Sequence, residues 1–113
     1  MEDCIFCKII NNEIPAEVVY EDEKVFAFRD IDPQAPIHII LIPKQHFDSI
    51  LNVPAGNDII SDIHTVASRI AIKLGIAQNG FRLVNNCGAD GGQTVDHLHY
   101  HLLGGRSLQW PPG

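Results

Sequence analysis

The chain has 113 residues, of which 45% are hydrophobic and 19% are charged, and its net charge is -6. This length and balance are typical of one compact domain over residues 1–113 and argue against a disordered or fibrous chain. The eight lysines and arginines are scattered, no apolar run approaches the ~18 residues of a membrane-spanning helix, and the acidic N-terminus does not resemble a signal peptide. We therefore expect a cytoplasmic protein that binds neither nucleic acid nor membrane.

The N-terminal half predicts one short helix followed by three strands. Residues 4–10 carry apolar side chains spaced for one or two helical turns, and the asparagines and proline after them end the helix. Residues 18–21 and 24–29 are rich in β-branched and aromatic residues and predict a hairpin. Residues 37–42 are apolar on both faces, which predicts a central strand closed by Pro43.

The C-terminal half predicts a long helix and two further strands. The segment between Pro54 and Gly75 has apolar residues at helical spacing, Asn57 is suited to be its N-cap, and Gly75 is suited to the position just after its C-cap. Residues 81–85 predict a strand, residues 88–92 a flexible glycine-rich loop, and residues 97–103 the last strand. Together these elements predict an α+β fold, in which helices pack on an antiparallel sheet.

Two of the three cysteines form a C-x-x-C pair, Cys4 and Cys7, and Cys87 is far away in the sequence. The odd number argues against a disulfide framework, and a thioredoxin-like redox pair would need a strand before the pair, where only three residues stand. Two interpretations stay open. The pair is either half of a zinc site that takes two more ligands elsewhere, or two reduced thiols without a role.

Three histidines alternate with apolar residues in the last predicted strand: His97, His99 and His101. Alternate side chains of a strand lie on one face, so these imidazoles share the face opposite the core. Consecutive ones are ~6.6 Å apart and the outer two ~13 Å apart, so one metal ion could bind two neighbours but not all three. His38, in the central strand, is either a core residue or a partner of this group, and His46 is expected at the edge of the site.

The segment just before the histidines, Gly91 to Thr94, offers backbone N–H groups and short polar side chains. Such a turn can bind phosphate oxygens. An imidazole is a good nucleophile toward phosphorus, and near neutral pH part of it is unprotonated. The loop and the histidines together therefore indicate chemistry on a phosphate.

The run HLHYHLL at residues 97–103 resembles the signature of the histidine triad family of nucleotide hydrolases and transferases, in which three histidines alternate with apolar residues. The C-terminal residues resemble the Hint branch of that family, the purine nucleoside phosphoramidases. The resemblance implies a five-stranded antiparallel sheet with one long and one short helix, in a homodimer that binds a purine nucleotide. The other similar stretches are FRDIDPQAPIH at 28–38, IPKQH at 42–46, GGQTV at 91–95, GGR at 104–106 and WPPG at 110–113.

The same resemblance implies catalytic roles for three histidines. His99 would attack the α-phosphorus to form a nucleotidyl-histidine, and the backbone carbonyl of His97 would orient it. His101 would contact the phosphate and help to protonate the leaving amine. His38 would join the same hydrogen-bonded group.

The resemblance also implies the residues that bind the substrate. Asp30 would accept hydrogen bonds from the ribose hydroxyls. Four residues would hold the phosphate oxygens or the leaving group, namely Asn86, Gly92, Gln93 and Thr94. The purine would lie in an apolar slot, although simple core packing also accounts for the residues concerned: Ile5, Phe6, Ile9, Phe28 and Ile31.

Many bacterial members of the family carry the C-x-x-C pair and bind zinc through it. The resemblance therefore implies a structural zinc ion held by Cys4, Cys7, His46 and His97, which leaves the other two triad histidines for chemistry. Asp96 stands where an aromatic residue is common in the family, and its carboxylate could raise the pKa of a nearby imidazole.

The activity that this pattern favours is hydrolysis of the P–N bond in purine nucleoside 5′-phosphoramidates, such as adenosine 5′-monophosphoramidate. Two alternatives stay open: hydrolysis of dinucleoside polyphosphates, and a nucleotide-binding module whose catalysis is incidental. An exposed tryptophan beside prolines suggests a contact surface, so the tail is expected to lie in the dimer contact. By resemblance, Trp110 would reach the partner's active site and shape the preference for the leaving group.

Overall fold

The computed structural model describes residues 3–113, so Met1 and Glu2 of the acidic N-terminus lie outside the described residues. The strands are β1 (Val18–Glu21), β2 (Val25–Arg29), β3 (Ile37–Pro43), β4 (Phe81–Asn85) and β5 (Tyr100–Gly104). The helices are α1 (Ile5–Ile10), α2 (Ile59–Lys73) and α3 (Gly88–Gly91), with a 3₁₀ turn at Ile50–Asn52. No helix within residues 3–113 is long and apolar enough to cross a lipid bilayer.

The five strands form one antiparallel sheet in the order β1-β2-β3-β5-β4, which confirms the predicted fold class. The predicted hairpin of β1 and β2 is present, and Asp22 Oδ1 stabilises its turn by accepting the N–H groups of Lys24 and Val25 at 2.7 and 2.8 Å. β3 lies at the centre and pairs with β5. This pairing brings His38 of the central strand next to the histidine-rich strand.

Apolar layers cover both faces of β2 and β3, which explains why these strands are apolar at nearly every position. On one face, α2 shares a buried cluster with Ile39 and Leu41 of β3. On the other face, Phe6 and Ile9 of α1 pack with alternate residues of the same strands, namely Phe26, Phe28, Ile40 and Ile42. The short helix therefore lies on the same face of the sheet as His97, His99 and His101.

The N-cap of α2 is Asp58, one residue after the predicted Asn57, and Gly75 stands at its predicted position just after the C-cap Leu74. The Oδ1 atom of Asn57 accepts a hydrogen bond from the Ile59 N–H at 2.9 Å. Gly75 has a φ of +78°, the left-handed conformation that glycine adopts most easily after a helix. Capping signals are local, so this helix could be predicted with little error.

The last strand is shorter than predicted, because it begins at Tyr100 rather than at residue 97. Its partner β3 ends at Pro43, which lacks the N–H that a longer ladder would use. The preceding backbone turns instead toward the segment after β3, where the Leu98 N–H donates to the Phe47 carbonyl at 2.7 Å. The side chains of residues 97–102 still alternate between the two faces, so the histidines share one face as predicted.

Residues 88–91 form a helical turn, and the prediction of a flexible loop was wrong. Gln93 closes this turn, since its N–H donates to the Gly88 carbonyl at 3.0 Å and its side-chain Oε1 accepts the Gly88 N–H at 3.0 Å. A single turn is too short to show a periodic pattern, which is why the sequence did not reveal it.

Candidate functional site

The central histidine of the triad is held in one tautomer by the backbone. His99 Nδ1 donates to the His97 carbonyl at 2.8 Å, and because a carbonyl only accepts, Nδ1 carries the proton. The neutral ring then has an unprotonated Nε2, whose lone pair can attack an electrophile. The ring is buried against Phe6, with the two centroids 5.1 Å apart, and burial lowers the pKa of His99. The ring is therefore neutral near pH 7.

Hydrogen bonds fix the tautomers of the two neighbouring imidazoles in the same way. The Gln34 backbone N–H donates to His38 Nδ1 at 3.0 Å, so neutral His38 carries its proton on Nε2. That Nε2 lies 2.8 Å from His101 Nδ1 and donates to it, so neutral His101 carries its own proton on Nε2. Asp30 Oδ2, 3.4 Å from His38 Nε2, favours the same arrangement. The site thus offers a lone pair on His99 beside an N–H on His101.

The potential ligand atoms of Asp30, His38 and His101 also lie within 4.8 Å of one another, close enough to share a metal ion. The 2.8 Å between the two imidazole nitrogens is a hydrogen-bond distance, and the Gln34 N–H occupies the other nitrogen of His38. We therefore assign this cluster to hydrogen bonding rather than to a metal ion.

Burial also keeps His101 and His38 uncharged near neutral pH. It lowers the pKa of His101 to about 4, and the nearby His99 and His38 add to that shift. Burial lowers the pKa of His38 as well, against the opposing effect of Asp30. The idea that Asp96 raises an imidazole pKa was wrong: this carboxylate is exposed, and the triad pKa values are lowered by burial.

His99 and His101 open into a cleft of about 270 Å³ beside α1. Ile5 is 45% exposed and Ile31 is fully exposed, so these two lie at the rim, whereas the other three residues of the predicted slot are buried. Those three pack in the core and also present surface to the cleft, so core packing accounts for them and their role in a purine slot stays a prediction. Nine of the predicted residues line this cleft: Ile5, Phe6, Ile9, Phe28, Asp30, Ile31, Thr94, His99 and His101.

Six further lining residues were not singled out by the sequence analysis. The period of a strand could have indicated Ile40, which stands two positions after His38 and so shares its face. The turn after the short helix gave no comparable signal. The six are Ile14, Pro15, Ala16, Arg29, Ile40 and Val95.

Within residues 3–113, four of the predicted substrate-binding residues do not line this cleft: Asn86, Gly92, Gln93 and Trp110. The Gln93 side-chain amide donates to the carbonyls of Asp48 at 2.7 Å and Val95 at 3.0 Å, so it braces the segment before the triad. The backbone N–H groups of Gly92 and Gln93 already donate within the α3 turn, which leaves Thr94 as the member of this loop that faces the cleft.

Trp110 lies on the surface of its own chain. It is 80% exposed, and the guanidinium of Arg82 lies 5.9 Å from the centroid of its ring. Arg82 also donates to the Gln109 carbonyl at 2.9 Å, so the tail is held against β4 at this point.

The C-x-x-C pair lies close to two histidines that are distant in the sequence: His46 and the first triad histidine, His97. Cys4 Sγ lies 3.2 Å from His97 Nδ1, and Cys7 Sγ lies 3.4 Å from His46 Nδ1 and 3.6 Å from His97 Nδ1. All four ligand atoms lie within 4.8 Å of one another. Sulfur at ~2.3 Å and nitrogen at ~2.0 Å from a tetrahedral zinc ion are about 3.5 Å apart, so the spacing fits such an ion.

The outer nitrogens of both histidines are anchored by acceptors. His97 Nε2 donates to the Pro43 carbonyl at 3.0 Å, and His46 Nε2 donates to Asp48 Oδ1 at 2.7 Å. Each bond places the proton on Nε2 and leaves Nδ1, which faces the sulfurs, available as a ligand. Histidine ligands of metal ions are typically anchored in this way. Asp48 was missed by the sequence analysis, although its position two residues after His46 was a usable signal.

The local structure of α1 brings the two thiols together. Cys4 is the N-cap of this helix, and its Sγ accepts the Cys7 N–H at 3.2 Å. Burial lowers the pKa of His97 to about 4, which makes it a neutral ligand, and burial raises the pKa of the Cys7 thiol to about 11. A half-buried thiol with a raised pKa loses its proton most readily when a cation binds to its sulfur, so the four residues form a candidate metal centre.

Comparison with known proteins extends the assignment to the whole chain. The HIT domain matches residues 11–108. An uncharacterized HIT-like protein of Synechococcus elongatus is 52% identical over 113 residues, which cover 99% of this chain and 98% of that protein. The purine nucleoside phosphoramidase of Escherichia coli K12 is 49% identical over 108 residues, which cover 95% of this chain and 91% of that protein.

Solved structures agree with the sequence matches. A histidine triad protein from Clostridium difficile superposes with a TM-score of 0.94 at 55% identity, and the alignment covers 96% of each chain. A HIT family hydrolase from Legionella pneumophila superposes with a TM-score of 0.95 at 48% identity, over 98% of this chain and 100% of that one. Because the domain match and the alignments span nearly the whole chain, this protein belongs to the HIT domain family.

Proposed function

We propose that this protein hydrolyses the P–N bond of purine nucleoside 5′-phosphoramidates, such as adenosine 5′-monophosphoramidate. The observation that carries the proposal is the pairing of tautomers, with an unprotonated Nε2 on His99 beside a protonated Nε2 on His101. The first is a nucleophile suited to phosphorus, and the second is a proton donor suited to an amine. The 49% identity to a purine nucleoside phosphoramidase supports the same activity.

In the proposed reaction, the His99 Nε2 lone pair attacks the α-phosphorus, and the P–N bond breaks with its electron pair on the amine nitrogen. His101 gives its Nε2 proton to that nitrogen and becomes an imidazolate, whose negative charge is balanced by the positive charge that His99 gains as a phosphorylated imidazole with its Nδ1 proton kept. Water then attacks the phosphorus, its hydroxyl stays on the nucleotide, and its other proton returns to His101. Each cycle yields one amine and one nucleoside monophosphate and restores both histidines.

The cleft supports a purine nucleoside as the bound part of the substrate. The base would contact Phe6, Ile9 and Phe28, whose apolar surfaces would otherwise face water. Asp30 Oδ1 accepts the Asp32 N–H at 2.8 Å, and the carboxylate keeps further lone pairs for the ribose hydroxyls. Thr94 would hold a phosphate oxygen.

A steady-state comparison of two substrates tests this function. Adenosine 5′-monophosphoramidate should be turned over with a higher kcat/KM than diadenosine polyphosphate. The reverse order would favour a dinucleoside polyphosphate hydrolase. Negligible turnover of both, together with tight nucleotide binding, would favour a binding module.

We also propose that Cys4, Cys7, His46 and His97 hold one structural zinc ion. Two thiolates and two imidazoles complete a tetrahedral shell, so no position is left for a substrate. The ion would cross-link α1, which borders the cleft, to His97, whose carbonyl orients His99. It would thus support the site without taking part in bond cleavage.

The pKa values predict activity that persists to low pH. The free enzyme needs neutral His99 and His101, and burial places the pKa of His101 at about 4 rather than 6.5. Burial lowers the pKa of His99 as well, so the fall in kcat/KM with decreasing pH should be centred below the ordinary histidine pKa of 6.5, because a lowered pKa keeps the neutral form at lower pH. A pH profile with the metal content measured at each point checks this. A fall in kcat/KM centred near the ordinary histidine pKa would contradict it.

We further propose a homodimer in which the tail reaches the partner's active site. Deleting residues 110–113 removes the exposed Trp110 and leaves Gln109, whose carbonyl accepts from Arg82 in the full chain, as the last residue. The deletion should change the ratio of kcat/KM for two phosphoramidates whose amines differ in size, because the tail would no longer contact the leaving group. Light scattering that finds a monomer at micromolar concentration, or a deletion that leaves the ratio unchanged, would count against this assignment.

A further inference from the structure

A side chain from the C-terminal segment holds the loop that carries Gln34. Arg106 Nη2 donates to the Gln34 carbonyl at 2.8 Å, across 72 positions of sequence, and its Nη1 donates to the Ser107 carbonyl at 3.0 Å. Gly105 approaches the same loop so closely that a Cβ on it would lie 2.9 Å from the Cβ of Pro36. The segment formed by Gly105 and Arg106 therefore packs on this loop and is hydrogen-bonded to it.

The position of this loop determines which ring nitrogen of His38 carries the proton, and through His38 which nitrogen of His101 does. Gln34 is exposed, yet its backbone N–H is the donor to His38 Nδ1. If that N–H moves away, His38 can take the other tautomer, with its proton on Nδ1 and a lone pair on Nε2. His101 Nδ1 then has to donate to His38, and His101 Nε2 loses the proton that the leaving amine needs.

We propose that Arg106 is a positioning residue that acts through Gln34 and His38 to keep the proton of His101 on Nε2. The inference rests on the proposed function, because it concerns the protonation of a leaving group. Asp30 Oδ2, 3.4 Å from His38 Nε2, supports the same tautomer, so the loss of Arg106 weakens the arrangement without abolishing it.

Two substrates separate this role from a general structural one. An adenosine 5′-phosphoramidate of an alkylamine needs a proton on its leaving group, whereas the p-nitrophenyl ester of AMP releases a stable aryloxide. For Arg106→Met we expect kcat/KM to fall about tenfold for the amidate and less than about twofold for the ester, a fraction of the full effect of general acid catalysis. Arg106→Lys keeps one donor group, so its kcat/KM for the amidate should lie between those of the wild type and Arg106→Met.

Arg69→Met is the matched control, because it also removes an exposed arginine, from the surface of α2. It should leave kcat/KM at the wild-type value for both substrates. An equal loss for both substrates in Arg106→Met, or no loss in either Arg106 variant, would overturn the proposal.

Long-range proton–nitrogen NMR spectra of the metal-loaded protein test the tautomer directly. His38 should carry its proton on Nε2 in the wild type and should populate both tautomers in Arg106→Met. Unchanged His38 nitrogen shifts in both Arg106→Met and Arg106→Lys would overturn the positioning role. This measurement needs no turnover, so it tests the role of Arg106 independently of the proposed function. Failure of the proposed function would instead appear as an inactive wild type. Should Arg106→Met fail to fold, Arg106→Lys carries the same tests.

Discussion

Replacing His99 with alanine is expected to lower phosphoramidate turnover on the order of 10⁴-fold or more while leaving nucleotide binding nearly unchanged. His99 Nε2 is the atom that attacks phosphorus in the proposed reaction. His101 cannot replace it, because its Nε2 carries a proton and its Nδ1 accepts from His38. The surfaces that would bind the base and ribose belong to other residues of the cleft. Steady-state kinetics and calorimetric titration with AMP measure the two effects separately.

His64→Ala is the matched control for this substitution, because His64 is an exposed histidine on α2. It should retain wild-type turnover. His99→Gly, which leaves space for a small molecule, should regain part of its activity when imidazole is added. A single turnover of the wild type, quenched in alkaline denaturant, should trap a nucleotidyl adduct on His99. Near-normal activity of His99→Ala, or turnover without any adduct, would show that the nucleophile is wrongly assigned.

Removing the metal is expected to lower the melting temperature strongly and low-temperature turnover much less. The helix α1 has six residues, too few to be stable alone, and the proposed ion ties it to His46 and His97. Structural zinc sites bind with ~10–16 kcal/mol, and for a domain of this size 1 kcal/mol corresponds to roughly 4 °C, so a fall of more than about 10 °C is expected. Calorimetry with and without a chelator checks this, and so does calorimetry of Cys7→Ser.

Cys87→Ser provides the control for the metal centre. Cys87 is a free thiol and is not one of the four clustered ligands, so its substitution should leave both the metal content and the melting temperature unchanged. Elemental analysis should find one zinc per subunit in protein purified without a chelator. No zinc in such a preparation, or equal melting temperatures for Cys7→Ser and Cys87→Ser, would rule out the proposed site.

The elements with local signals could be predicted from the sequence. Residues 18–21 and 81–85 carry strand patterns whose bounds coincide with β1 and β4, and Asn57 and Gly75 indicated the ends of α2, although its N-cap is Asp58. The start of β5 could not be predicted, because it depends on where its partner β3 reaches a proline. The α3 turn was missed because a single turn is too short to show a periodic pattern, and hydrogen bonds between Gln93 and Gly88 order it.

By itself, the sequence determined which histidines are candidates for the chemistry and which face they share. Alternation along residues 97–102 put the three histidines opposite the apolar side chains, as the structure has them. The protons of these rings were decided only by the tertiary structure. His97 bonds a carbonyl 54 positions away, and His101 accepts from a ring 63 positions away. Burial and long-range hydrogen bonds set imidazole tautomers and pKa values, and neither can be read from neighbouring residues, because both depend on groups that only the folded chain brings together.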